Sequence, residues 1–163
     1  MESRKTPSEV TFEELAWFAG IIDGEGSIGA YFYADQNSPK YAIHMGNTSK
    51  PLVEQYCKIL RKIGVEPFIS NRCYYRKTTP QQKEMRLTKI SRKKDILFVL
   101  KTIEPYLVAK KKQARILINF FEKYPKLVGM TRSGKTSPWQ SVYEKVVSDM
   151  KRAKEAECYA CRD

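Results

Sequence analysis

Histidine is almost missing from this chain of 163 residues: there is one, His44. Chemistry that needs a group of imidazoles is therefore excluded within one copy. Cysteine is scarce too, with four residues at positions 57, 73, 158 and 161. Cys57 and Cys73 fall in expected secondary structure, where free thiols pack as small apolar groups. Cys158 and Cys161 form a single C-x-x-C, and the lone histidine lies far upstream. That spacing falls short of the four ligands of a structural zinc site. The thiols read as reduced and the compartment as intracellular. No apolar run approaches the ~20 residues that span a bilayer. The first residues, MESRKTPSEV, hold no apolar segment of a secretory signal, and Glu2 and Glu9 argue against a transit peptide.

Acid is also in short supply. Eighteen Asp and Glu face thirty Lys and Arg, a net charge of +12. Such a surplus points to a polyanionic partner, because neutralising phosphates releases condensed counterions. The basic residues are spread along the whole chain rather than gathered on one amphipathic helix, which favours nucleic acid over a membrane surface. A hydrophobic content of 42% supports a real core, and the length suits one domain. The expected divisions are an N-terminal arm over 1–10, the domain over 11–157 and a tail over 158–163.

Local signals give the element order. Thr11 followed by Glu14 is a capping box, and Leu15, Phe18, Ala19 and Ile22 then recur at helical spacing. This helix should end between Asp23 and Gly26. Two strand-like runs, Ser27 to Tyr33 and Lys40 to Thr48, make one hairpin. Ser49 and Pro51 open a second helix that Gly64 closes. A second hairpin pairs Pro67–Arg76 with Glu84–Ser91. Helices are expected from Arg92, from Val108, and from Ser137 and Pro138, the last with Trp139, Val142, Tyr143, Val146, Val147 and Met150 on one face. The layout is α+β: four antiparallel strands in one sheet with helices on one face. The other face should carry Tyr31, Tyr33, Tyr41, Asn71, Tyr75, Lys77 and Lys89, an aromatic and basic surface suited to the major groove.

The stretch FAGIIDGEG, residues 18–26, places Asp23 and Glu25 among glycines at the first helix's end. Ala16, Gly20 and Gly24 are spaced by four, a small-residue stripe along one face. Small residues let backbones approach closely, so this helix can pack against its own symmetry mate. The acids would then approach their copies, and like charges there need a divalent cation. Carboxylate and carbonyl oxygens suit Mg²⁺ or Mn²⁺. Two such carboxylates beside a phosphate would support metal-assisted phosphodiester hydrolysis. The plain alternative is that Asp23 caps the helix and Glu25 is a surface acid.

FAGIIDGEG resembles the motif of LAGLIDADG homing endonucleases. The flanking SIGAYFY, NTSKPLVEQYCKILRKIGV and EPYLVAKKKQARILINFFEKYP resemble the same family in order and spacing. The resemblance implies an αββαββα fold with a DNA-binding sheet. A single copy of the motif implies a homodimer on double-stranded DNA, cutting a long pseudo-palindromic site and promoting intron mobility. It assigns Glu25 as the metal-binding catalytic acid, Gly24 as a carbonyl near the metal, and Asp23 to the helix end and interface. Lys110 matches the basic residue beside the scissile phosphate, with Lys112 close by in sequence. Thr48 stands where some relatives carry Gln near the catalytic water. Arg132, Lys135 and Thr136 fall in a region that clamps the DNA backbone in relatives. An organellar compartment, chloroplast or mitochondrion, is implied by the same resemblance. The alternatives are a maturase that binds intron RNA and a DNA-binding regulator that no longer cleaves.

Overall fold

The computed structural model describes residues 10–31, 40–72, 85–125 and 139–159. Helix α1 spans Phe12–Glu25, and its start is fixed by the expected capping box. The Glu14 amide donates to Thr11 Oγ1 at 3.3 Å and the Thr11 amide donates to Glu14 Oε2 at 3.2 Å. Both orphan donors of the first turn are thereby satisfied. The other oxygen of Glu14 accepts from Lys62 Nζ at 2.6 Å, which ties α1 to the end of the second helix.

Strands β1 (Gly26–Tyr31) and β2 (Lys40–Asn47) follow, then α2 (Lys50–Lys62), β3 (Phe68–Arg72) and β4 (Met85–Ile90). The continuations expected to Tyr33 and Arg76 lie outside the described residues. Gly64 ends α2 at φ 86°, a left-handed conformation that favours glycine. Helix α3 (Lys93–Ile103), a 3-10 turn (Glu104–Tyr106), α4 (Lys111–Lys123) and α5 (Gln140–Tyr159) complete the chain. Trp139, expected on the apolar face of α5, is instead 45% exposed, while Tyr143, Val146, Met150 and Ala153 are buried. Ser137 and Pro138 lie outside the described residues. Among the described residues no helix is long and apolar enough to cross a membrane.

The sheet is antiparallel throughout, in the order β1-β2-β4-β3. One face is covered. Ile28, Ile43, Met45 and Ile90 are buried there with Phe18, Ile22, Tyr56, Leu100 and Phe121. Phe18 stacks on Tyr56 with ring centres 4.6 Å apart. Cys57 is a buried free thiol in this core, as its spacing suggested.

The register corrects the assignment of Tyr41 to the open face. Tyr41 pairs with Ala30, which is buried, so alternation sends both toward the helices. Its ring meets Phe121 edge-on at 4.9 Å and Phe120 at 5.6 Å. Burial pushes the phenol's pKa well above its usual value. Its hydroxyl is buried and has no hydrogen-bond partner among the described residues. Tyr41→Phe should therefore leave thermal stability unchanged or raise it by up to about 1 kcal/mol, because an unpaired buried hydroxyl is a cost. A clear loss in a melting experiment would show that the hydroxyl is used.

Candidate active site and nucleic-acid interface

The last turn of α1 is the centre of a small polar cluster. Helices leave their final carbonyls without intrahelical donors. Here the Gly26 amide returns to Ile21 and Ile22, and the Asp23 carbonyl accepts from Lys110 Nζ. The Asp23 carboxylate takes two further donors, the Val108 amide at 2.7 Å and the Lys110 amide at 2.8 Å. Asp23 is thus neither a bare surface acid nor the cap of its own helix. It holds the 108–110 turn against α1.

α4 starts at Lys111 and not at Val108 as the sequence suggested. Residues 108–110 form a turn before it, and the amides of 108 and 110 donate to the Asp23 carboxylate. The same contact separates the lysines. Lys110 is half-buried with its ammonium on the end of α1, whereas Lys112 is exposed.

Glu25 is the next acid along. It is exposed, and among the described residues no hydrogen bond or ion pair holds it. Gly24 beside it is exposed too, and its carbonyl lies in the last helical turn, where no later helical amide reaches it. The Lys110 ammonium therefore sits at the same end of α1 as the exposed Gly24 and Glu25. Among the described residues no group of three or more His, Cys, Asp or Glu forms a metal cage. One chain offers a carboxylate and a carbonyl, a hard-oxygen donor pair that suits Mg²⁺ or Mn²⁺ but makes only half a site. Thr48 is exposed just after β2, and Asn47 Oδ1 accepts the Ser49 amide at 2.8 Å.

The stripe of Ala16, Gly20 and Gly24 is exposed along its whole length. Phe12 at 76% exposure and Trp17 at 37% stand on the same side. A Cβ added at Gly20 or Gly24 would meet nothing within 4 Å. Among the described residues nothing requires glycine there, yet each helical glycine costs about 1 kcal/mol relative to alanine.

The face of the sheet opposite the helices carries Tyr31 and Lys89, as expected. Tyr31 lies flat along β1, and a Cβ at Gly29 would overlap its ring. Its hydroxyl is shared by Ser27 Oγ at 3.0 Å and Lys154 Nζ at 3.4 Å. That ammonium also stands 5.1 Å from the ring centre, a cation–π contact. Lys154 on α5 was not singled out from the sequence, because only the fold brings it to β1. Asn71 pairs with Arg86 along the β3–β4 ladder, and its side chain lies outside the described residues. Tyr33, Tyr75, Lys77, Arg132, Lys135 and Thr136 lie outside the described residues.

Known proteins were compared with this arrangement. The LAGLIDADG-like domain model matches residues 12–104. The homing endonuclease I-CvuI, solved with its target in the presence of Ca, aligns at a TM-score of 0.62 and 18% identity over 89% of this chain and 84% of that one. The group I intron-encoded homing endonuclease I-CeuI, solved with DNA, aligns at 0.53 and 16% identity over 77% of this chain and 59% of that one. The LAGLIDADG homing endonuclease I-GzeII, also solved with a DNA target, aligns at 0.54 and 17% identity over 83% of this chain and 43% of that one. At these identities the structural likeness establishes the fold. No curated protein matches the chain. With its motif at the end of α1, its four-stranded antiparallel sheet and more than half its length matched, the chain belongs to the LAGLIDADG-like domain family.

Proposed function

We propose that this protein is a divalent-metal-dependent DNA endonuclease of the homing type, working as two copies on a pseudo-palindromic site. The observation that carries the reading is the end of α1, where Glu25 is exposed and the Lys110 ammonium rests on the Asp23 carbonyl two residues before it. Family membership, the +12 charge and the open sheet face point the same way. Structural neighbours are bound to DNA, one of them in the presence of Ca. Intron mobility follows from the same reading.

In this reading the Glu25 carboxylate and the Gly24 carbonyl would hold the metal, completed by the same groups of a second copy. Bound there, it would activate water and offset charge on the phosphate. Lys110 supplies positive charge beside the scissile phosphate. Its backbone is pinned by Asp23 and its ammonium by the Asp23 carbonyl, so the cation needs little reorganisation as negative charge develops. The test is to incubate the protein and Mg²⁺ with a duplex library and sequence the ends produced. A recurring pair of cuts supports the reading. Binding of structured intron RNA without DNA cleavage would replace it with the maturase alternative.

Lys110→Met should slow cleavage by roughly a hundredfold, the scale of losing one preorganised electrostatic group. DNA affinity should change far less, because a single phosphate contact is a small share of binding. Single-turnover kinetics beside a filter-binding titration separate the two effects. Lys112→Met should leave the rate near wild type, and the reverse pattern would move the role to Lys112.

A further inference from the structure

The open face of the sheet also carries an apolar patch that neither the core nor the acid–lysine centre uses. Thr88 and Ile90 are buried on the helix side, at 1% and 3% exposure. Alternation along β4 therefore turns Met85, Leu87 and Lys89 the other way. Gly46 locates them: a Cβ built there would stand 3.4 Å from both Leu87 Cδ1 and Met85 Sδ. Phe68, paired with Lys89, shares this face and is 66% exposed. The patch lies at the catalytic end of the sheet. Gly26, directly after Glu25, pairs with Met45, and the adjoining Gly46 pairs with Leu87.

We propose that Leu87 and Met85 read thymine C5-methyl groups in the major groove, at base pairs close to the cut. The proposal rests on the DNA reading above and adds what the protein selects there. Each base pair shows a distinct pattern in the major groove, and only thymine offers a methyl group to an apolar side chain. A guanine or cytosine edge facing Leu87 and Met85 would lose water without gaining a hydrogen bond, so it is rejected. Duplex DNA is the occupant that the charge favours. Lys89 adjoins the patch in a chain of net charge +12, and a second copy laid face to face would bring like charges together.

The experiment starts from wild-type protein and a duplex library randomised around the cut. Selected sites should be enriched in thymine at the base pairs flanking the cut in each half-site. Replacing those thymines with deoxyuridine removes only the methyl groups. Affinity should fall about fourfold per methyl, the factor that corresponds to burying one such group. The salt dependence should stay the same, since no phosphate contact changes. Leu87→Asn, checked to melt near wild type, should lose the discrimination between thymine and deoxyuridine. A selected site without thymine enrichment, or equal affinity for the two bases, overturns the proposal while leaving the DNA reading intact. Selection of no specific duplex at all removes both. A DNA-free dimer that Leu87→Asn dissolves would make the patch a self-association surface and overturn the proposal.

Discussion

Glu25→Gln should abolish DNA cleavage, by roughly a thousandfold or more, while the protein still folds and still binds its site. The fold is insensitive because Glu25 is exposed and holds no other side chain among the described residues. Binding persists because affinity for DNA comes mainly from many phosphate contacts, which this change leaves alone. Cleavage is lost because an amide oxygen is a neutral and weaker ligand for a hard cation than a carboxylate. The expected size is that of losing a group that acts on developing charge in a dry site. Single-turnover cleavage in Mg²⁺ next to equilibrium binding measures both arms. Cleavage at the wild-type rate would remove Glu25 from the chemistry.

Gly20→Leu should have an effect of similar size by a different route. Within one chain the substitution is mild, since a Cβ at Gly20 meets nothing within 4 Å and leucine is a better helix former than glycine. The isolated chain should melt no lower than wild type. Between two copies the leucine would stand where two backbones approach, and would wedge them apart. Ala16 and Gly24, one turn away on either side, make the stripe self-complementary, as a two-fold interface requires. Sedimentation should show a monomer, and cleavage should be lost with the dimer. An intact, active dimer would place the interface elsewhere, whereas a drop in monomer stability would point to a contact within the chain.

Much of the fold could be read locally. Thr11 and Glu14 fix the start of α1 through bonds three residues apart, and such signals survive in the sequence. Strand faces did not survive as well. Tyr41 was placed on the open face, but its direction depends on the pairing with Ala30, set by partners distant in the chain. MRLTKI hides its faces for a related reason. Met85 and Leu87 look like core residues, yet Thr88 takes the buried position because its hydroxyl donates to the Met45 carbonyl at 3.0 Å. The site divides in the same way. Glu25 and Lys110 are candidates through the resemblance carried by FAGIIDGEG and LVAKKKQA. The work of Asp23 on the 108–110 turn was not legible, since it joins positions 85 and 87 residues apart. Nor was the contact of the Lys110 ammonium, and not that of Lys112, with the Asp23 carbonyl.

If each copy supplies one Glu25, two copies together cut both strands, and mixing wild-type chains with Glu25→Gln chains separates the two cuts. Supercoiled DNA carrying the selected site is incubated with the mixture in Mg²⁺, and nicked and linear products are counted as the proportion of variant rises. Linear product should fall steeply while nicked circles appear, reaching their maximum at an equal mixture where mixed pairs are most abundant. Linear product falling only in proportion to wild-type chains, with no rise in nicked circles, would show that one chain cuts both strands alone, so that no second copy is needed.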